Sequence, residues 1–479
     1  MVQRRPAASQ PSSSAPNSAT ASNQHLISQH ASMTPNRLFA IQARLLKLSL
    51  IVRLVSATLL VIASHLQQAF DTSHQLLSYS LDPSTAHGLS AGSFKWLLAF
   101  VRWDTIYFVA SASPESVESV HGGGYAWEQS LAFQPGIVGL LRVTGYLTPS
   151  LDGSWSPTSA ILVTAVLANL AAAASPVLLY RLTWRLTRNA QLAYTAAVLS
   201  MFAPSAGTTL ASPTPESFFS FASLVGMLHL ESSDALGWTQ VAATSFWFAV
   251  ATGFRANGTL LVGYVAFKLI GEARSGKPVL AALKLLLSAM VCVSPSVLFQ
   301  TWAYSRFCLS GVDRPWCADR VPSIYAFVQS HYWNVGLLRY WQPAQLPNFI
   351  LAAPVLLAIA YTTHIYYRRS TLPQIAASLL PPTTTPSAPS TISASLTLQA
   401  TPKAIPYILH GVLLGLLLLL ASHVQIALRL ATPGGLPMVW WGTAQAVLLS
   451  RLMRMVVVGY LAVQYCMAIV LYAGFYPPA

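Results

Sequence analysis

The sequence is poor in acidic residues, with 13 aspartates and glutamates among 479 residues against 27 lysines and arginines. Charged residues of both signs make up only 8% of the chain, whereas a typical soluble domain has about 25%. So few charges are not enough to cover the surface of a soluble protein of this length. No nucleic-acid-binding motif accompanies the net charge of +14, so we expect no nucleic-acid partner.

Metal-binding patterns are also missing. No Asp-x-Asp pair occurs, and the four cysteines and 11 histidines show no metal-ligand spacing, so we expect no metal site, although metal dependence stays open. Cys292 and Cys466 lie in apolar runs, where a free cysteine behaves as a small hydrophobic residue. Cys308 and Cys317 are expected to form a disulfide if their segment faces an oxidising lumen, with two free thiols as the alternative.

Long apolar runs, in contrast, are abundant. A helix needs about 20 mainly apolar residues to cross the hydrocarbon core of a bilayer, and several runs meet or approach this length. We therefore predict an all-α, multi-span membrane protein with roughly nine to eleven spans. The clearest runs are Leu45–Ser64, Ala160–Tyr180, Val279–Phe299, Phe349–Tyr367, Ile405–Leu428 and Val456–Leu471.

Basic residues that flank these runs predict the orientation, because cytosolic loops carry an excess of lysine and arginine. Residues 1–40 are predicted to be a disordered cytosolic N-terminus, and residues 372–403, rich in Pro, Thr and Ser, a flexible linker. The membrane domain is expected at 41–371, with its last spans at 404–479. Two large loops, at about 65–129 (the first loop) and 301–347 (the second loop), are predicted to lie on the non-cytosolic side.

Polar side chains gather in these loops and at the ends of nearby runs. A charge at membrane depth costs a few kcal/mol, so such residues are rarely kept without a role. A carboxylate there could take a proton from a sugar hydroxyl, and arginines could hold a departing phosphate. The missing Asp-x-Asp pair weakly favours a lipid-linked sugar donor. The candidates are Arg102, Asp104, Glu128, Glu216, Arg255 and Asn257, with Trp333, Asn334, Arg339, Tyr340 and Trp341 in the second loop.

Structural interpretations of single residues stay open. Asp104 could pair with Arg102 or with a helix end, although residues two apart do not share a helix face. Glu216 could be an acid at a helix N-terminus, where the dipole favours it. Arg255 could extend its charge to the membrane surface, and the aromatic residues could form a belt at the interface. The convergence of these side chains on one side favours a functional site.

Several segments resemble the GPI mannosyltransferase 2 family, over residues 45–479 apart from the linker. "RWDTIYFVASA" followed by "GYAWEQSLAFQPGIVGLLR" is similar to the family's first luminal loop, with its Arg-Trp-Asp motif. "SPTPESFFSFASLVGM" and "ATGFRANG" resemble its Ser-x-Glu-Ser and Ala-Thr-x-x-Arg-Ser-Asn-Gly segments. "VPSIYAFVQSHYWNVGLLRYWQPAQLPNFILAAP" is the most specific match, and "HVQIALRLATPGGLPMVWW" and the terminal "AGFYPPA" agree in order. Tyr107, Gln134 and Ala256 depart from the family's His, Phe and Ser.

The resemblance implies a GT-C-type glycosyltransferase of the endoplasmic reticulum membrane. Such an enzyme transfers mannose from dolichyl-phosphate mannose, with no bound cofactor, to the mannosylated GPI precursor in an α-1,6 bond. The resemblance implies that Asp104 is the catalytic base of an inverting reaction. Because Tyr107 replaces the family's His, the resemblance implies no acid–base role for that position. Arg102 and Arg255 are then candidates for the donor phosphate, and Glu128 and Glu216 orient sugars or those arginines. Trp103 and Asn257 belong to the matching motifs, and the residues of the second loop named above line the cleft.

Other functions remain open at this point. Another dolichol-dependent mannosyltransferase, a lipid transporter or scramblase, and a non-catalytic subunit are each compatible with the composition. A transporter would need charges that line a path through the bilayer, whereas these cluster at one face. A small membrane partner is known for some members of the resembling family, and whether one exists here is open.

Overall fold

The computed structural model describes residues 34–70, 95–114, 124–125, 128–147, 155–309, 314–369 and 402–476. The predictions for residues 1–33 of the N-terminus, for residues 71–94, 115–123 and 126–127 of the first loop, for residues 310–313 of the second loop and for residues 372–401 of the linker lie outside these ranges. Residues 35–40, which were expected to be disordered, form the start of a helix. By its contacts the chain divides into residues 1–41 and residues 42–479. The second unit carries all the residues of the candidate site.

Within the described ranges every regular element is helical. Proline opens several of these helices, a position where its missing N–H costs nothing and its fixed φ suits the first turn. The α-helices are α1 (Pro35–Leu66), α2 (Asp104–Ala112), α3 (Pro135–Gly145), α4 (Pro157–Thr187), α5 (Ala190–Ser200), α6 (Pro215–Leu230), α7 (Trp238–Phe254), α8 (Val262–Arg274), α9 (Pro278–Phe307), α10 (Ile324–His331), α11 (Leu346–Arg369), α12 (Ile405–Ala421), α13 (Ile426–Leu430), α14 (Pro437–Leu449) and α15 (Arg451–Ala473). Short 3-10 turns include Glu128–Ala132, Ala256–Leu261 and Pro315–Ala318.

Five helices in the described ranges are long and apolar enough to cross a membrane: α1, α4, α9, Pro343–Tyr367 and α15. The all-α membrane class is confirmed. The remaining expected spans fall on shorter helices, since α5 to α8 have between 11 and 17 residues. The run Ile405–Leu428, expected as one span, ends as a helix at Ala421, and a separate short helix, α13, follows.

Packing places α6 against α4 and α7, while α14 packs on α5 and α11. Trp440 and Trp441 of α14 are almost fully buried, and Trp441 Nε1 donates a hydrogen bond of 2.7 Å to Thr183 Oγ1 in α4. The short helix α2 packs on α3, which in turn packs on α4. These contacts hold the N-terminal ends of α2 and α6, which carry Asp104 and Glu216, on one continuous helical core.

Candidate active site

Asp104 is the first residue of α2. A carboxylate there is favoured, because the unpaired N–H groups and the dipole of a helix are positive at its N-terminus. Trp103, which precedes it, has a φ of 52° and a ψ of −122°. A bulky residue adopts this conformation at a cost in free energy, which persists only where the surroundings hold the backbone. The strained residue sets the direction in which the chain enters α2.

The C-terminal end of the chain holds the backbone that leads into α2. Arg102 is 6% exposed; its Nε donates to the carbonyl of Ala473 at 3.2 Å, and its guanidinium lies 4.2 Å from the centroid of the Phe475 ring. Trp103 Nε1 donates to the carbonyl of Tyr476 at 3.1 Å. Burial lowers the pKa of Arg102 to about 10, so it stays charged at neutral pH. These contacts disfavour Arg102 as a ligand of a donor phosphate, because its N–H groups are directed at backbone carbonyls.

The carboxylate of Asp104 pairs with Arg429 of α13, which lies 325 residues further along the chain. Arg102, two residues away, is therefore not its partner. Of the Asp104 side chain 32% is exposed, and of the Arg429 side chain 20%. A substrate group can reach both members of the pair.

Glu216, Arg255 and Asn257 form a second polar group at the start of α6. Glu216 Oε1 accepts a hydrogen bond from Arg255 Nη1, and Arg255 Nε donates to Asn257 Oδ1 at 3.3 Å. Glu216 is both an acid in the first turn of a helix and the partner of a cation that is 17% exposed. Glu216 Oε2 and Asn257 Nδ2 are buried and have no hydrogen-bond partner among the described residues. This group therefore has one unpaired acceptor and one unpaired donor, and a sugar hydroxyl can form a hydrogen bond with either.

Arg429 also lies within electrostatic reach of Glu216, so Asp104, Arg429, Glu216 and Arg255 form a group of alternating charges that we call the charge cluster. Burial lowers the pKa of Arg429, but the attraction of Asp104 and Glu216 outweighs burial, and the net shift is upward. The guanidinium is therefore charged at physiological pH. The carboxylates of Asp104 and Glu216 are both attracted to this one guanidinium.

Residues 422–435, which include α13, join the parts of the site. His423 Nε2 donates to the carbonyl of Trp333 at 2.7 Å, and its ring stacks on Tyr340 with centroids 4.7 Å apart. The backbone N–H of Gly434 donates to Ser220 Oγ in α6 at 2.9 Å. A side chain at position 434 would collide with the backbone carbonyl of Ser220, so this close approach requires glycine.

Glu128 of the first loop binds three side chains of the second loop. Its Oε1 accepts a hydrogen bond from Trp316 Nε1, and its Oε2 accepts from Tyr332 at 3.2 Å and from Arg314 at 3.4 Å. Burial, and then the Glu128 carboxylate, raise the pKa of Tyr332. The disulfide Cys308–Cys317 closes the same part of the second loop. Glu128 thus joins the two loops, and its hydrogen bonds go to neither Arg102 nor Arg255, although it was expected to orient sugars or those arginines.

The Glu128→Gln variant is expected to loosen the second loop. Both oxygens of Glu128 accept hydrogen bonds, whereas glutamine has only one oxygen and places an NH₂ group where the other was. A buried donor that loses its acceptor in this way costs about 1–3 kcal/mol of stability. We expect faster protease cleavage within the loop and a reduced transfer rate. The matched control is Asp234→Asn, since the side chain of Asp234 is 88% exposed. Equal cleavage rates for the two variants would contradict this role of Glu128.

The second-loop candidates divide into two sets. The Trp333 ring packs on Phe133 at 5.3 Å, and Phe133 packs on Phe108 of α2 at 4.9 Å, so Trp333 reaches the helix of Asp104 through one ring. Tyr340 accepts a hydrogen bond from Asn348 at 2.8 Å and stacks on His423 as described above.

The other second-loop candidates contact no described residue of the charge cluster. The side chains of Asn334 and Arg339 are exposed. Trp341 is also exposed, and its Nε1 donates to the carbonyl of Leu419 at 2.7 Å. Their roles in a cleft stay predictions.

Arg429 is the residue at this site that sequence reasoning missed. It is the only charged residue between positions 404 and 450, in the stretch "QIALRLATPGG". A lone arginine in an apolar stretch is itself a signal, because such a charge is costly unless it is paired or used. The pairing with Asp104 could not be read from the sequence. Tyr107, one helical turn after Asp104, is 45% exposed.

Comparisons with known proteins agree on one family. The family model described as Mannosyltransferase (PIG-V) matches residues 41–479. GPI mannosyltransferase 2 of Cryptococcus neoformans is 29% identical over 469 residues, which cover 89% of this chain and 96% of the relative. GPI alpha-1,6-mannosyltransferase 2 of Cricetulus griseus is 31% identical over 444 residues, covering 84% and 82%. The human protein of the same name is 31% identical over 360 residues, covering 68% and 67%.

Proposed function

We propose the reaction of this chain from the premise that it belongs to the PIG-V mannosyltransferase family. It is a membrane glycosyltransferase that adds the second mannose, in α-1,6 linkage, to the precursor of the GPI anchor. Its acceptor is a mannosylated GPI lipid. The expected location is the endoplasmic reticulum membrane, with the reaction at the luminal face.

The base in this reaction is Asp104. Its carboxylate takes the proton of the acceptor hydroxyl while the hydroxyl oxygen attacks the anomeric carbon of the donor mannose. The leaving phosphate departs from the opposite face, so the configuration at that carbon inverts. The unpaired Glu216 Oε2 and Asn257 Nδ2 are available to hold sugar hydroxyls beside the reacting atoms.

Dolichyl-phosphate mannose is the proposed donor. The site is built from a single accessible carboxylate paired with a cation, at helix ends of a multi-span protein. The sequence has no Asp-x-Asp pair, and no three His, Cys, Asp or Glu side chains gather into a metal-binding group within the described ranges. A lipid-linked sugar phosphate, which diffuses in the bilayer and carries its own leaving group, suits such a site better than a nucleotide sugar.

The observation that carries the proposal is the accessible Asp104–Arg429 pair inside the charge cluster. The test is a lipid analysis of cells that lack this protein, followed by transfer assays on membranes with dolichyl-phosphate mannose or GDP-mannose as donor. We expect accumulation of a GPI precursor with a single mannose, and transfer from the dolichol-linked donor alone. Shortened N-glycan precursors would instead identify another dolichol-dependent mannosyltransferase.

A further inference from the structure

Arg429 has more hydrogen-bonding capacity than its pairing with Asp104 uses. A guanidinium carries five N–H donors in a planar fork, and in the described residues Arg429 makes one side-chain hydrogen bond, from Nη1 to Asp104 Oδ2. One fifth of its side chain is exposed. The remaining donors are therefore available to a group that enters the site.

Three other arginines of the described chain are occupied by partners within the protein. Arg102 is buried and donates to the backbone carbonyls of Ala473 and Val101. Arg255 donates to Glu216 through Nη1 and to Asn257 through Nε. Arg53 of α1 donates to the carbonyls of Ala206 and Met201 at 2.7 and 3.0 Å. Among these cations of the described chain, Arg429 is the one that combines contact with the base, accessibility and unused donors.

We infer that Arg429 is a second catalytic residue, which binds the phosphate of the leaving group and transfers its pairing from Asp104 to that phosphate during the reaction. This inference rests on the proposed function, because it requires a lipid-phosphate sugar donor. Neither the sequence hypotheses nor the family match assigns this arginine a role.

The balance of charge explains why one cation serves both groups. The acceptor O–H proton moves to Asp104, whose charge changes from −1 to 0, as the new bond from the acceptor oxygen to the anomeric carbon forms. The bond from that carbon to the phosphate oxygen breaks, and its electron pair stays on the oxygen, so the phosphodiester monoanion becomes a monoester dianion. One negative charge thus leaves the partner of Arg429 and one appears on the phosphate. An arginine fork suits this exchange, since it can bind phosphate through two N–H groups.

Glu216 keeps the cation in place while its partner changes. It lies within electrostatic reach of Arg429 and is itself paired with Arg255. When Asp104 becomes neutral, it no longer attracts Arg429. Glu216 still does, so the guanidinium stays near the reacting atoms. The burial of Glu216, which is 2% exposed, keeps this attraction from being screened by water.

This inference is tested with the purified full-length protein, dolichyl-phosphate mannose and the product analogue dolichyl phosphate. For Arg429→Gln we expect kcat to fall by about a hundred- to a thousandfold, as when a donor to a developing anion is removed. The KM for the donor should change less than the inhibition constant of the product, because the donor phosphate carries one negative charge and the product phosphate carries two. The inhibition constant of dolichyl phosphate should rise by about ten- to a hundredfold, the value of a charged hydrogen bond. Arg429→Lys should recover part of both effects.

Two further variants keep the test decisive. Asp104→Asn should lose about three orders of magnitude in transfer but bind dolichyl phosphate at least as tightly as the wild-type protein, because Arg429 has lost its competing carboxylate. Arg451→Gln, at an exposed position at the start of α15, is the matched control and should behave as wild type. An unchanged inhibition constant in Arg429→Gln, or weaker binding in Asp104→Asn, would overturn the role of Arg429. A wild-type protein that transfers no mannose from the dolichol-linked donor would instead overturn the proposed function.

Discussion

The Asp104→Asn variant is expected to lose about three orders of magnitude in mannose transfer, the middle of the range for a general base. Asparagine keeps the shape of the side chain but does not accept a proton at neutral pH. The strained backbone at Trp103 and its bracing by the C-terminal residues do not depend on the carboxylate, so the entry into α2 should be preserved. The measurement is the initial rate of transfer in membranes containing equal amounts of each protein.

A loss of folding is separated from a loss of catalysis by thermal unfolding in detergent. Removing the carboxylate leaves Arg429 without its hydrogen-bonded partner, so a modest decrease in melting temperature is expected. Asp234→Asn is again the matched control, and it should change neither quantity. A rate in Asp104→Asn within a few-fold of the wild-type rate would remove Asp104 from the role of base, whatever the melting temperature.

The Glu216→Gln variant is expected to lose both stability and activity. Glu216 is almost fully buried and pairs with Arg255, whose side chain is 17% exposed. Removing one member of a buried ion pair costs about 3–5 kcal/mol, because the other charge is left without compensation. The activity per folded molecule should also fall, since Oε2 is the unpaired acceptor that we assign to a sugar hydroxyl.

A control for this variant exists in the same chain. Glu231 is another carboxylate with a buried side chain, paired with Lys268 at 3.4 Å and away from the charge cluster. Glu231→Gln should lower the melting temperature but leave the activity of the folded fraction unchanged. The double variant Glu216→Gln/Arg255→Gln should be less destabilised than the sum of its single variants, because each single change already removes the pair. Equal specific activities in Glu216→Gln and Glu231→Gln would contradict a substrate contact at Glu216.

The helical membrane class followed from composition, because a chain with 8% charged residues and apolar runs of about 20 residues has few other solutions. The number of spans did not follow as directly. Apolar runs at α5 to α8 have the composition of spans, yet they form helices of 11 to 17 residues. Hydropathy reports where a chain avoids water, and a helix buried among other helices satisfies it as well as one that faces lipid.

The polar residues of the site were identified from the sequence more reliably than their partners. Asp104, Glu216, Arg255 and Asn257 stood out because charged and amide groups are rare next to long apolar runs. The pairing of Glu216 with Arg255 spans 39 residues and that of Asp104 with Arg429 spans 325. Only pairs a few residues apart on one helix can be read from spacing, because their geometry is local.

The amino-acid sequence by itself determined the membrane environment of this protein, its helical class and the carboxylate that we propose as the base. These depend on composition and on local patterns, which carry their own physical consequences. The tertiary structure alone decided which cation faces that carboxylate, that Arg102 braces the backbone, and that Glu128 joins the two loops. Each of these follows from packing between distant segments, and above all from the break after α12 that turns Arg429 toward Asp104.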